Sequence, residues 1–221
     1  MATRHGIVGI FVHDAQNITV QGNTIFNMLD KSIMVWKTGL GQNPVSNIII
    51  RENIAVNIKQ DSRTLDVQNL KQDGTNIANW GSFDYNYYCR PLNETKSIYT
   101  GGGSGNLYTL SEWQALYGHD RNSQKSPKTF PSNVNPNDSI KFVYNPTNSQ
   151  QATALNGTYI DARNKQYVSS ITLAPYSSAV LFVNSAVTAV PNQDPQANAG
   201  SDQVITLPAN TITLNGSGAD A

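Results

Sequence analysis

The segment Asn17-Ile18-Thr19-Val20-Gln21-Gly22-Asn23-Thr24-Ile25-Phe26-Asn27 aligns without a gap on Asn47-Ile48-Ile49-Ile50-Arg51-Glu52-Asn53-Ile54-Ala55-Val56-Asn57. No other feature of the chain restricts its folding as much. The apolar stretches within each copy are very short and end in Asn, Gln, Glu or Gly, so each reads as a short strand followed by a polar turn. A strand of three to five residues is not stable alone. Stacking copy on copy solves this, because it pairs the backbone groups of neighbours and builds one continuous apolar interior. Equivalent residues then sit ~4.8 Å apart, the strand spacing of any sheet. A weaker echo runs from Phe83 to Tyr88. Asn23, Asn53 and Asn86 would therefore stack at one corner, where side-chain amides can bond each other and a left-handed backbone is tolerated. Ahead of the copies stand Ile10-Phe11-Val12 and Ile33-Met34-Val35, with Thr64-Leu65-Asp66-Val67 as a third run of this kind. A β-sandwich with Asn-rich turns is the rival reading, but it does not account for the ungapped match.

Composition agrees with an all-β protein. The 221 residues include 26 Asn, and only 14% are charged, well below the usual quarter. Lys and Arg balance Asp and Glu at 15 each. A neutral chain carries no electrostatic footprint for nucleic acid or an anionic membrane. No run approaches the roughly 20 apolar residues of a membrane span. Cys89 is the single cysteine, which excludes an internal disulfide. Met1 to His13 contains no apolar stretch of signal-peptide length. The composition is common in exported bacterial proteins, and the expectation is a secreted or cell-surface protein, a monomer, cut from a longer chain.

The phrases "NITVQGNTIFN" and "NIIIRENIAVN" resemble the repeat of right-handed parallel β-helix proteins of the pectate-lyase-like kind, over about residues 6–99. The resemblance implies that residues 1–99 form the last coils of such a β-helix. Residues 100–134 then hold a Gly-rich break and a closing helix. Thr109 and Glu112 have capping-box spacing, Gly118 suits a helix stop, and Leu110, Trp113 and Leu116 or Tyr117 fall on one face. "LSEWQALYGHDRNS" resembles the segment that closes such β-helices, which implies a structural role for His119-Asp120 rather than a catalytic one.

Residues 135–186 change to antiparallel alternation. Tyr159-Ile160-Asp161 turns through Arg163-Asn164-Lys165 into Gln166-Tyr167-Val168, and the stretch resembles a small β-sandwich that follows carbohydrate-active modules. Residues 187–196 read as a linker. Residues 197–221, "NAGSDQ" through a strand and Leu207-Pro208 to "LNGS", resemble the first two strands of a polycystic-kidney-disease (PKD)-type immunoglobulin-like module, truncated at Ala221.

Chemistry is harder to find. The paired aspartates of pectin hydrolases are absent, and Arg51-Glu52-Asn53 departs from that family's Arg-Ile-Lys. No His or Cys spacing suits a metal, so no cofactor is expected, although calcium stays open. Catalytic residues are unassigned. One constellation follows from the repeat. Aligning Ile10–Val12 with Ile33–Val35 puts His13 beside Trp36 and Asp14 beside Lys37. Four residues separate Val12 from Asn17, whereas eleven separate Val35 from Asn47, so this corner carries an inserted loop. Such loops build binding grooves, and Trp36, Lys37, His13 and Asp14 could stack on a sugar and bond its hydroxyls. The bland alternative packs Trp36 under its own loop and leaves Asp14–Lys37 as a solvated ion pair. Asp61, Arg63, Asp66 and Asp73 read as surface charges, and Cys89 as a buried small hydrophobe.

The implied function is a polysaccharide-processing protein, a lyase or glycosidase parent whose catalytic coils lie upstream. The alternative is a non-catalytic protein that binds carbohydrate or mediates surface adhesion. In either case the partner is a polysaccharide or a cell-surface glycan.

Overall fold

The structure, a computed structural model, describes residues 2–4, 6–40, 44–101, 105–186, 196–202, 204–208, 211–213 and 215–219. In chain order the elements are β1 (Ala2–Arg4), β2 (Val8–His13), β3 (Gln16–Gln21), β4 (Thr24–Phe26), β5 (Lys31–Lys37), β6 (Ser46–Arg51) and β7 (Ile54–Val56). There follow β8 (Arg63–Asn69), β9 (Gly81–Asp84), β10 (Tyr87–Cys89), β11 (Ile98–Gly101), β12 (Asn106–Tyr108), α1 (Leu110–Tyr117) and β13 (Gln124–Lys125). The rest are α2 (Pro136–Ser139), β14 (Ile140–Tyr144), β15 (Gln151–Asp161), β16 (Gln166–Leu173), β17 (Ser178–Ala186), β18 (Gln196–Asn198) and β19 (Ser217–Ala219). The protein is mostly β.

Three sheets draw on residues 2–125, and strands three apart in the chain are neighbours in them. The first sheet has the order β1-β4-β7-β10-β13 and is parallel throughout. The second sheet runs β2-β5-β8-β11 in parallel and ends with β12, which is antiparallel to β11. The third sheet is β3-β6-β9, also parallel. The repeat sets the register: Ile18 faces Ile48, Val20 faces Ile50, and Thr24 faces Ile54. A slip of one residue would turn every apolar side chain outward.

Val12, Val35 and Val67 line the core between these sheets, with Ile33, Leu65 and Ile98 one row away and Ile48, Ile50, Phe83 and Tyr88 opposite. β4 and β7 are buried at every position. The reason is that the first sheet is covered on both faces, and such strands lose their polar alternation. Its inner side meets this core. Phe26, Ile54, Val56 and Cys89 meet Ile140, Ile160, Val180 and Phe182 of the fourth, antiparallel sheet β14-β17-β15-β16. The fourth sheet's other side forms a further cluster that includes Leu155, Ile171, Leu173 and Leu181. Tyr159 faces Tyr167 and Ile160 faces Gln166 across the hairpin read from the sequence.

At the corner between the third and first sheets, Asn53 Oδ1 accepts from the backbone N and the Nδ2 of Asn23, both at 3.0 Å. Asn86 Oδ1 accepts in the same way from Asn53, again at 3.0 Å twice. Asn53 and Asn86 are fully buried, and each Nδ2 also reaches a backbone carbonyl, of Val20 and Ile50 respectively, at 2.9 Å. Each such bond contributes about 1 kcal/mol net, but a buried amide left without a partner costs more.

α1 forms as its caps dictate. Thr109 accepts from Glu112 N and Glu112 accepts from Thr109 N, and Gly118 stops the helix at φ 71°. Trp113 is fully buried against Phe83, with ring centroids 6.2 Å apart, and Tyr117 packs on the core. Leu116 points outward.

Two expectations need correction. The assignment of residues 1–99 to a pectate-lyase-like right-handed parallel β-helix does not stand. The architecture is a set of several sheets, the second mixed and the fourth antiparallel. The Asn-bounded repeat encodes a pairing rule between neighbouring strands, which is a weaker statement than membership of a family. The immunoglobulin-like tail does not stand either. Residues 204–207 are not a strand, and among the described residues the unit Ala186–Ala221 holds one antiparallel pair, β18 with β19. Val204 and Leu207 are exposed there, because two strands cannot build a sandwich core. The chain divides into Met1–Ser185 and this second unit. No helix among the described residues is long and apolar enough to cross a membrane.

Candidate functional site

The outward face of the second sheet gathers the side chains with chemical potential. Parallel pairing puts His13 opposite Trp36, Trp36 opposite Gln68, and Phe11 and Met34 in one row with Asp66 and Tyr99. The ring of Phe11 stacks on His13 at 5.0 Å and meets Trp36 edge-on at 5.5 Å. Phe11 is 47% exposed, and Trp36 is half-buried.

Asp66 is the anchor of this face. Its side chain is wholly covered. Oδ1 accepts from Trp36 Nε1 at 2.8 Å and from Gln68 Nε2 at 2.5 Å, and Oδ2 accepts from Arg63 Nη1 at 2.6 Å. A covered carboxylate is tolerable only when its lone pairs are filled in this way. The Arg63 guanidinium also lies over Tyr99, 4.0 Å from the ring centre, so Asp66 fixes Trp36 directly and shields one side of Tyr99 through Arg63.

Of the four residues singled out from the sequence, His13, Asp14 and Trp36 meet at one corner, with His13 Nε2 3.7 Å from Asp14 Oδ2, whereas Lys37 turns away. His13 and Trp36 are neighbours, with His13 Nε2 also 3.1 Å from Thr38 Oγ1. Asp14 is buried and does not pair with Lys37. It accepts from Thr38 N at 2.7 Å and from Thr38 Oγ1 at 2.5 Å, pinning the start of the inserted loop. Lys37 is buried on the other side of the strand end, with Nζ 2.7 Å from Asp73 Oδ2 and 2.8 Å from Thr75 Oγ1. These bonds, together with those from Thr75 and Asn69, hold the Asp73 carboxyl well below the usual range.

Asp66, Arg63, Gln68 and Tyr99 were missed. A usable signal existed: Leu65-Asp66-Val67 aligns with Ile33-Met34-Val35, which puts Asp66 on the outer face beside Met34 and Gln68 beside Trp36.

His119-Asp120 is structural in its geometry. Asp120 accepts from Trp113 Nε1 at 2.8 Å, Ser123 Oγ at 2.6 Å, Asn86 Nδ2 at 3.0 Å and Tyr88 OH at 3.3 Å. Burial is the largest influence on its carboxyl and pushes it up against these donors. His119 stacks on Phe83 at 4.6 Å, and burial lowers its imidazole below the ordinary histidine value. The Cys89 thiol is fully buried and pushed up by that burial.

No group of three or more His, Cys, Asp or Glu suited to a metal ion occurs among the described residues. No family model, no curated protein and no solved structure matches the chain.

Proposed function

We propose that the protein binds a neutral glycan along the outward face of the second sheet, as a non-catalytic carbohydrate-binding protein in a secreted or cell-surface setting. The supporting observation is the set of rings Phe11, Trp36 and Tyr99 on β2, β5 and β11 of one sheet face, with β8 between the last two, and with the nearby cations already paired. Lys31 is bonded to Asp30, Lys37 to Asp73 and Arg63 to Asp66. Rings with polar edges beside them suit the alternating apolar and hydroxylated surfaces of a sugar. Paired cations leave no net attraction for an acidic polymer. The carboxylates here serve structure: Asp66 is covered, and Asp14 holds the loop. Two free carboxylates flanking a bond, which a glycosidase needs, are not offered by them.

The test is a panel of neutral and acidic oligosaccharides, followed calorimetrically with the protein and with Trp36→Ala. Neutral binders should lose about 2 kcal/mol in the variant, the loss expected of an anchoring aromatic residue. A glycan that binds equally well without the indole overturns the assignment.

A further inference from the structure

A second site lies elsewhere in the same unit and does not depend on the glycan-binding reading. A cavity of about 420 Å³ opens between the start of α1, the 94–97 segment and the 121–125 segment. Its volume is that of a small-ligand pocket. Its lining is polar, and it includes two exposed cations, Arg121 and Lys125. The contrast with the sheet face is the key point. There each cation has a carboxylate within ion-pair distance, whereas among the described residues neither Arg121 nor Lys125 has one, and their charges act on Asp84 and Glu94 only from farther off. The carboxyl that lines the cavity, Glu94, is turned into the wall. Its Oε2 accepts from Arg90 N at 2.9 Å and its Oε1 from Ser126 N at 3.3 Å. Burial raises the Glu94 carboxyl, against the Arg90 and Ser126 amides and the Lys125 charge, which lower it.

Hydroxyls complete the lining. Thr109 Oγ1 accepts from Glu112 N at 3.2 Å, and Ser111 stands beside it at the cavity wall. We propose that this cavity binds a small hydroxylated anion: one sugar ring or polyol that carries a carboxylate or a phosphate. Arg121 and Lys125 would take the charged group, and Thr109 and Ser111 the ring hydroxyls. Two exposed cations that lack an ion-pair partner, beside the hydroxyls of Thr109 and Ser111, match that combination better than a neutral ligand or an apolar one.

The experiment titrates the protein with glucuronate, glucose phosphate, glucose and acetate, followed by backbone amide NMR shifts and calorimetry. Arg121→Gln, Lys125→Gln and Trp36→Ala are run in parallel. At least one sugar anion should bind and shift amides of residues 94–97 and 109–125, whereas glucose and acetate should not. Each cation variant should weaken binding about tenfold, or ~1.4 kcal/mol, and Trp36→Ala should leave it unchanged. The proposal is overturned if neither sugar anion binds, if glucose or acetate binds as tightly, or if both cation variants retain full affinity. Because both side chains are exposed, unchanged melting temperatures are expected and verify that the variants fold. Loss of glycan binding on the sheet face alone would leave this result standing.

Discussion

The indole Nε1 of Trp36 donates across the strand boundary to Oδ1 of Asp66, 2.8 Å away, so the most prominent ring of the outer face is held by a carboxylate that solvent does not reach. Asp66→Asn keeps the shape but turns an N–H group toward Arg63 or Trp36, whichever way the amide lies. The variant should lose about 1–3 kcal/mol of stability and weaken glycan binding without touching the glycan. Urea denaturation of the two proteins measures the first effect. An unchanged midpoint would mean that the carboxylate does not hold the indole.

The Asn column makes an unequal prediction for its members. Asn53→Ala removes the acceptor for the backbone N and the Nδ2 of Asn23 and strips a donor from Val20 O, while Asn86 Oδ1 keeps only the backbone N–H of residue 53. At about 1–3 kcal/mol for each buried polar group left unmatched, the loss should be ~3 kcal/mol or more. Asn23→Ala, at the half-buried end, should cost only ~1 kcal/mol. Equal midpoints for the two variants would contradict the column.

Much of this was readable beforehand. The ungapped repeat gave the register of β3 with β6 and of β4 with β7, because Asn-bounded apolar triplets can satisfy their backbone only by pairing with their own copies. The helix caps at Thr109, Glu112 and Gly118 were equally local and equally clear. The partners of Asp14 and Lys37 were not readable. The alignment placed them side by side, but neighbouring backbones do not oblige side chains to meet. Asp14 turned to the amide of Thr38, and Lys37 to Asp73, which lies 36 residues onward in a loop with no periodic pattern. Asp66 reads as a surface charge in the sequence for a related reason: on a sheet face, burial is decided by the long side chains around a residue, here Trp36, Arg63 and Gln68.

His119 should make stability depend on pH near neutrality. Its folded value is lowered below the ordinary 6.5, chiefly by burial, so the unfolded chain binds the proton more readily. Its contribution is therefore complete above about pH 6.5 and is lost as pH falls from there toward the folded value. Melting temperatures from pH 7.5 downward should fall in the wild type across this window. In His119→Phe, which keeps the stack on Phe83 and Trp113, that part of the slope should vanish. A parallel pair of curves would assign the slope to another group.

Gly81 should tolerate no side chain. A Cβ there would lie 1.9 Å from the carbonyl oxygen of Ile48, on the neighbouring strand of the third sheet. Gly81→Ala must therefore push β9 away from β6, and a loss of about 3 kcal/mol or more is expected, at the upper end of overpacking effects. Gly74→Ala is the control: φ is 76° there, but nothing lies within 4 Å, so only the backbone cost of ~1 kcal/mol should appear.

The second unit should yield first to protease. Its described side chains, Val204 and Leu207 among them, are largely exposed, whereas β4 and β7 are buried at every residue. Brief digestion should leave a resistant product ending near Ser185. Survival of the 196–219 pair for as long as that product would contradict this.

The column of amides also has a sense of travel. Asn23 gives to Asn53, Asn53 to Asn86, and Asn86 to Asp120, each through Nδ2. The backbone sets that sense at every rung, since the oxygen of Asn53 and of Asn86 receives an N–H from residues 23 and 53 and the nitrogen of each reaches a main-chain carbonyl. Every amide must therefore point its nitrogen the same way as the last. The final nitrogen, on Asn86, needs an acceptor beyond the repeat, and Asp120 beneath α1 supplies it. A chain of like groups thus ends on the one side chain type that can close it without a donor of its own.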